Sequence, residues 1–381
     1  MKVAVLGYGT VGKGVYEMLR TSPVLEAGPV LVRPGKTDEP FKVDSIEKII
    51  NDPTVDAVAE VMGGVDAAFS YGSMVLKSGK HFVTSNKALV AARGLELGRL
   101  ARENGAAFLF SAACGGAVPF LHNLELARES DEIYSLGGIL NGTTNYMLDK
   151  MQSEGLDYGE ALKTAQELGY AEADPTADVS GLDALRKIML GCAVAYDRLP
   201  REGLLNEGIE NLKASDVEKF KRKGLVCRLL GRAGLDSEGR LYAFVQPVLL
   251  GPDAPEAAVR ANYNMAKYEG KNSGPIVFMG QGAGRYPTAS AVIRDLECIV
   301  QGQREMLKKE CREAAADNDG YVCSYYVRLP ENRMDGMEWE SFDSGDGIAS
   351  AVTKPVSVKA MHSFARRLRK GGGEIFFAEL A

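Results

Sequence analysis

Histidine is scarce in this chain. Its three copies, His81, His122 and His362, stand far apart among 381 residues. A histidine-based triad or metal cluster is therefore excluded as a first reading, and proton chemistry is expected from lysine and carboxylates. Cysteine is present but unpatterned. Cys114, Cys192, Cys227, Cys298, Cys311 and Cys323 are scattered and include no C-x-x-C pair. That excludes a disulfide frame or zinc site and reads as reduced, mostly buried thiols. An excess of positive charge is also missing: 45 Lys and Arg against 51 Asp and Glu leave a net charge of −6, so there is no basic footprint for nucleic acid. No apolar run approaches the length of a membrane span. The first residues read as a strand, without the charged region and cleavage site of a signal peptide. The expectation is a cytoplasmic protein that binds neither nucleic acid nor membrane. The remainder is ordinary for a soluble globular protein, 45% hydrophobic and 25% charged, with length for two or three domains.

What is present begins at once. Met1 to Leu6 is a short apolar run that breaks into Gly7-Tyr8-Gly9-Thr10-Val11-Gly12, and a helix-compatible stretch, Lys13 to Arg20, follows. This strand, glycine-rich turn and helix form a dinucleotide-binding start. Gly7 allows the tight turn, Gly9 lets a pyrophosphate approach the backbone, and Gly12 lets the helix pack on the sheet. The helix N-terminus supplies N–H groups and a positive dipole end for phosphates. An ordinary strand-to-helix turn is the alternative.

The same rhythm continues. Strands are expected at Pro29–Arg33, Val55–Met62, His81–Thr84 and Ala106–Phe110, with helices at Asp66–Ser78 and Ala88–Asn104. Alternating strands and helices imply parallel βαβ units, so residues 1–128 read as an α/β, Rossmann-type doubly wound sheet. Ligands bind such sheets beyond the carboxyl ends of the strands, where the loops Gly7–Gly12, Val61–Val65 and Ser85–Lys87 stand. Residues 129–284 read as a second, mixed α+β domain. Its expected strands are Ile133–Leu140, 225–234, 240–250 and Gly274–Met279. Its expected helices follow Asn145, span Tyr158–Leu168, and run from a capping-box-like Ser180–Asp183 to about Ala195. A helix from about Ala289 to Val300 would allow 285–302 to pack back on the first domain. Residues 303–381 read as a charged tail module with a helix near 357–370 and a last strand, Glu374–Phe377.

Four places carry chemistry-bearing residues. Arg33 and Lys36 follow the second strand, where NAD-selective sites place a carboxylate for the ribose. Cations there favour a 2′-phosphate, hence NADP, against an exposed charged loop. Lys87 stands at the ligand edge, where it could meet a substrate carboxylate or the nicotinamide pocket; a solvated helix-start lysine is the alternative. The run Glu172 to Lys187 packs four carboxylates near one lysine, and Asp183 and Lys187 share a helix face at i and i+4. Desolvation lowers a lysine pKa and neighbouring carboxylates raise it, so Lys187 could be poised for proton transfer. Spacing alone does not choose between that and a surface salt bridge. Cys114 is a conceivable nucleophile, but no histidine lies near it in sequence, and a small residue in a tight loop is the plainer reading.

Taken together and in order, Gly7–Gly12, Thr84-Ser85-Asn86-Lys87, the stretch from Gly138 through Asn141-Gly142-Thr143-Thr144-Asn145-Tyr146, Glu172 to Lys187, and Gly280 to Ala291 resemble the homoserine dehydrogenase family over about residues 1–300. The resemblance implies an NAD(P)-dependent interconversion of L-homoserine and L-aspartate 4-semialdehyde, within threonine, methionine and isoleucine biosynthesis. Lys187 matches the family's catalytic lysine, Glu172 the residue that binds the substrate ammonium, and Asp178 and Asp183 acidic residues around substrate and lysine. Lys87 matches a lysine at the cofactor–substrate junction. The cofactor set implied is Gly7, Gly9, Thr10, Val11, Gly12, Arg33, Lys36, Lys87 and Gly282. A homodimer through the second domain is also implied.

Two departures stand out. The family's monovalent cation (Na+) sits in the loop after the fifth strand on backbone carbonyls that begin at a Glu. Here the matching positions are Ser111, Cys114, Gly116 and Val118. Many bacterial members end in an ACT domain that senses threonine, and 324–330 resembles its first strand, but the Asp-x-Pro-Gly turn and following helix are not recognisable. Weak or absent threonine feedback is expected. The competing readings are another Rossmann-type amino-acid or semialdehyde dehydrogenase and a non-catalytic NAD(P)-binding sensor.

Overall fold

The computed structural model describes residues 1–36 and 38–381. They group into two compact units, one of Met1–Glu132, Met189–Leu199 and Gly280–Glu313, the other of Ile133–Ile188, Pro200–Met279 and Ala314–Ala381.

The first unit runs β1 (Lys2–Leu6), α1 (Thr10–Leu19), β2 (Glu26–Leu31), β3 (Lys42–Val43), α2 (Glu47–Ile50), β4 (Ala57–Glu60), α3 (Asp66–Lys77), β5 (His81–Thr84), α4 (Lys87–Glu103), β6 (Phe108–Leu109) and α5 (Phe120–Ala127). The sheet order is β3-β2-β1-β4-β5-β6, all parallel. Strand order reverses between β1 and β4, the switch point at which doubly wound sheets bind ligands. Val3–Leu6, Ala57–Ala59, Phe82 and Val83 are fully buried. Near-continuous apolar strands are what a sheet covered on both faces requires, and each large side chain buried there contributes about 1.5–3 kcal/mol. The second strand lies earlier than the expected Pro29–Arg33. Its register with β1 shifts between Val3 and Val5, and the irregularity accommodates Pro29, which has no N–H to give a ladder.

The second unit contributes β7 (Ile133–Ile139), α6 (Gly142–Glu154), α7 (Tyr158–Glu167) and α8 (Thr176–Val179). Next come α9 (Leu182–Tyr196) and β8 (Arg198–Glu202), of which residues 189–199 group with the first unit, then β9 (Leu205–Asn206) and α10 (Ala214–Arg222). The long strands β10 (Val226–Leu235), β11 (Leu241–Leu250), β12 (Tyr263–Gly270) and β13 (Gly274–Gln281) follow. The acidic stretch expected as a loop contains α8, and α9 starts at Leu182 with Ser180 closing α8 instead of capping α9. β7 depends on its glycines. Gly138 has φ +129°, and a Cβ there would lie 2.0 Å from the Met265 carbonyl oxygen of β12. No other residue fits.

Helix α11 (Arg285–Val300) belongs to the first unit and packs on α1, where Gly14 leaves room for Arg285 and Ala289. It begins four residues before the expected Ala289, because Gly284 at φ +123° starts the helix and Pro287 sits in the first turn, where no N–H is needed. The chain then forms β14 (Arg312–Ala315), β15 (Val322–Cys323), β16 (Tyr325–Pro330), β17 (Trp339–Gly345), β18 (Ile348–Thr353), β19 (Val356–Ser357), α12 (Val358–Lys370) and β20 (Phe376–Leu380).

The region from 303 divides between the two units. Residues 303–313 group with the first unit, and the rest extends the second unit's sheet, whose order is β13-β12-β7-β10-β11-β20-β16-β18-β17. The last strand pairs parallel with β11 and antiparallel with β16. The apolar face of α12, Met361, Phe364, Ala365 and Leu368, packs on Tyr325, Val327, Leu329 and Phe377, so these strands and this helix share a core of their own while extending the sheet.

Candidate active site

In the first unit, Gly7 turns the chain at φ +100°, Gly9 is the N-cap of α1, and Thr10, Val11 and Gly12 form its first turn. A Cβ at Gly9 would meet nothing within 4 Å, whereas one at Gly12 would lie 2.1 Å from the Gly7 carbonyl oxygen. One glycine therefore keeps an approach open and the other keeps the turn closed. The helix end has no side-chain cap and no acid in its first turn, which leaves its amides suited to an anion. These features fit a dinucleotide pyrophosphate. Arg33 and Lys36 lie exposed in the turn after β2, with the Lys36 N–H donating to the Arg33 carbonyl.

Lys87 is the first residue of α4 and half-buried. Asn86 caps that helix by accepting from the Leu89 N–H at 3.1 Å, and its side-chain nitrogen donates to the Gly64 carbonyl at 2.6 Å. The loops after β4 and β5 are thereby tied together. The motif Thr84-Ser85-Asn86-Lys87 works through this cap as much as through its lysine.

The loop Ser111–Val118 is held by α11. The Ser111 hydroxyl donates to Asp295, and the Ala112 N–H donates to the other Asp295 oxygen at 3.2 Å. Gly115 and Gly116 have φ +86° and +53°. A Cβ at Gly116 would come within 2.7 Å of Gly282, so Gly282 backs this loop. Cys114 is fully buried, which removes it as a nucleophile open to substrate. Asp295, absent from the sequence reading, is almost fully buried, and burial pushes its carboxyl up to about 6. Its place on the inner face of an apolar helix was the available signal.

The second unit brings together Asp178, Asp183 and Lys187, and adds Asn141. Lys187 is 7% and Asp183 6% exposed, and Lys187 Nζ donates to Asp183 Oδ2 at 2.8 Å. The amine also donates to the Leu140 carbonyl at the end of β7, which accepts from Asn264 as well, at 3.1 Å. A surface salt bridge is therefore the wrong description. Asn141 caps α6 by accepting from the Thr144 N–H at 2.8 Å, and its nitrogen donates to Asp178 Oδ1 at 2.7 Å and Asp183 Oδ2 at 2.9 Å. The cap fixes which side of the amide faces the carboxylates. Asn141 is 5% exposed; the N-cap pattern Asn-x-x-Thr at the end of an apolar strand was its visible signal. Glu172 lies apart from this cluster in one respect: it is exposed, in the segment leading to α8.

A buried amine held by a carboxylate and a carbonyl is suited to carrying a proton in a fixed position, and a glycine-lined helix end beside a switch point is suited to a nucleotide. Comparison with known proteins finds one family over both stretches. The family model for the homoserine dehydrogenase NAD-binding domain matches residues 7–111, and that for homoserine dehydrogenase matches residues 119–296. The homoserine dehydrogenase of Synechocystis is 42% identical over 318 residues, 79% of this chain and 73% of that protein.

The chain belongs to the homoserine dehydrogenase family.

The Bacillus subtilis homoserine dehydrogenase is 38% identical over 320 residues, 80% of this chain and 74% of that one. A homoserine dehydrogenase from Thiobacillus denitrificans, known by crystal structure, superimposes with a TM-score of 0.88 at 26% identity, covering 100% of this chain and 98% of that chain. As a homoserine dehydrogenase the protein is an NAD(P)-dependent oxidoreductase acting on the CH–OH group of homoserine, a step in amino-acid biosynthesis. No described helix is long and apolar enough to cross a membrane.

Proposed function

We propose that Lys187 is the proton carrier of the homoserine–semialdehyde interconversion, with Asp183, Asp178 and Asn141 fixing its position. The observation that carries this is the buried Lys187–Asp183 pair with Leu140 as second acceptor. As an ammonium, Lys187 gives a proton to the oxygen that becomes the homoserine hydroxyl; as an amine, it takes that proton in the reverse direction. The bonds to Asp183 and Leu140 fix the position of the nitrogen that carries the proton. The bound nicotinamide supplies or accepts the hydride, and the protein's part is alignment and proton transfer. Glu172, exposed and acidic, suits the substrate ammonium, and Asp178 its polar surroundings. Lys87 suits a carboxylate at the edge of the sheet.

The cofactor would be held by Gly7, Gly9, Thr10, Val11 and Gly12, with Gly282 behind the loop after β6. Arg33 and Lys36 favour NADP over NAD, since both cations are exposed at the start of the connection after β2, while the acids that follow, Asp38 and Glu39, pair with Lys42. Na+ on the carbonyls of Ser111, Cys114, Gly116 and Val118 is supported by the two positive-φ glycines that curl this loop. A homodimer is supported by β13, an edge strand whose outward residues include Val277 and Met279, 42% and 64% exposed. Exposed apolar edges are pairing surfaces. A cytoplasmic site of action accords with this chemistry.

The test is absorbance at the nicotinamide band with purified protein, L-homoserine and NAD or NADP in parallel. Homoserine-dependent reduction, faster with NADP, is the expected result. Cofactor binding without reduction would favour a sensor or another substrate.

A further inference from the structure

One carboxylate in the first unit has no part in the chemistry above. Glu60 ends β4, level with Leu6 of β1 and Thr84 of β5, at the point where the strand order reverses. It is 0% exposed. One oxygen accepts from the Met62 N–H at 2.6 Å and the other from the Thr84 hydroxyl at 2.5 Å. Thr84 in turn accepts from the Asn86 N–H at 2.9 Å, and Asn86 reaches back to Gly64. The glutamate thus joins the turn after β4, Met62–Val65, to the turn after β5 that begins α4 and carries Lys87. A charge at the end of an otherwise apolar parallel strand is costly, and a structural strand end would be served by any apolar residue.

We propose that Glu60 is a positioning residue for the dinucleotide: its carboxylate clasps the two turns at the switch point into the arrangement that binds the cofactor. This rests on the reading of that sheet edge as the cofactor site. Both donors point at the carboxylate, so the clasp works with the acid ionised; protonation puts a donor where an acceptor is needed. Burial raises the Glu60 carboxyl to about 7, against the hydrogen bonds from Thr84, Met62 and Asn86, which lower it. The groups that meet it from β1, β5 and the start of α4 are Leu6, Thr84 and Asn86, none of them charged. Cofactor affinity should therefore weaken as the pH falls through neutrality.

The experiment is a fluorescence titration of the full-length protein with NADPH, without substrate, from pH 6 to 8.5, on wild type, E60Q and E60A, with urea melts of each. Glutamine keeps the shape and accepts from Met62, but turns an amide donor towards Thr84, as the protonated acid would. The expected result is that E60Q, which like the protonated acid sets a donor against Thr84, binds at pH 8 about as weakly as wild type does at pH 6 and loses the wild-type pH dependence, and that folded E60A binds at least about tenfold more weakly than wild type at pH 8. E60A affinity within twofold of wild type, or an E60Q profile that still follows the wild type, overturns the proposal. If E60A does not fold, the E60Q profile alone decides. Wild type that binds neither NADPH nor NADH would instead defeat the cofactor reading of the edge.

Discussion

The side-chain nitrogen of Asn141 lies 2.9 Å from Oδ2 of Asp183, the same oxygen that accepts from Lys187 at 2.8 Å. Two donors converge on one carboxylate oxygen, so the lysine is located by the end of β7 as well as by its own helix. Replacing Asn141 should therefore act at a distance from the proton. In N141A the cap of α6 is lost, costing about 1 kcal/mol, and kcat falls by about 10²-fold through misplacement of Asp183 and Lys187. In N141S the hydroxyl still caps α6 but cannot span both carboxylates. Thermal melts should show N141S near wild-type stability while steady-state assays show it nearly as slow as N141A; equal activity of N141S and wild type would remove Asn141 from the site.

Loss of Lys187 should separate chemistry from binding. K187A is expected to lower kcat by about 10²–10⁴-fold, with the cofactor dissociation constant within twofold of wild type. Fluorescence titration and single-turnover absorbance measure the two. The variant should also melt earlier, because Asp183 keeps a buried charge with one donor fewer.

Arg33 and Lys36 should set cofactor choice. The double variant R33A/K36A is expected to weaken NADPH binding by about tenfold and leave NADH nearly unchanged. The wild-type preference for NADPH should shrink with added salt, since both cations are exposed. Titrations at two ionic strengths read this directly.

His362 gives the fold an acid sensitivity. It is 5% exposed on α12, and its Nε2 is 3.1 Å from Gln246 Oε1. Burial lowers its pKa to about 3, and Arg366 and Arg369 push the same way. The unfolded chain therefore binds a proton between about pH 6.5 and 3 that the folded chain refuses. The stabilisation is complete above pH 6.5 and is lost as the pH falls towards 3. At pH 5 the loss is on the order of 2 kcal/mol. Urea melts of wild type and H362Q at pH 5 and pH 7.5 should show a smaller drop in the variant; parallel drops would show that other groups govern it.

Threonine should have little effect. After β16 the chain makes a short turn and the β17–β18 hairpin where an ACT domain would place a helix. Millimolar threonine is expected to leave the rate of the purified enzyme unchanged, and strong inhibition would contradict this reading of the tail.

The first unit was the more legible half in sequence. The expected His81–Thr84 has the observed bounds and α3 agrees within one residue, because buried parallel strands are short apolar runs and Gly79, at φ +80°, closes the helix. The chemistry of Lys187 was only half legible. Its i and i+4 partner was visible in Asp183, but burial was not, since that depends on β7 and Leu140 some fifty residues earlier. Asn141 and Glu60 were harder still. Both act through hydrogen bonds to groups far along the chain, and spacing does not register such partners. The pairing of the C-terminal strands is not legible for a related reason: short strands show their composition locally, whereas the sheet they join is set by pairing across more than a hundred residues.

That pairing has a consequence for synthesis. β20, residues 376–380, lies between β11 and β16, each of which it hydrogen-bonds. Until those five residues leave the ribosome, β11 and β16 each present an open edge to other nascent chains. Chaperone engagement in the interval between the emergence of β11 and that of β20 should therefore weigh on the yield of this enzyme.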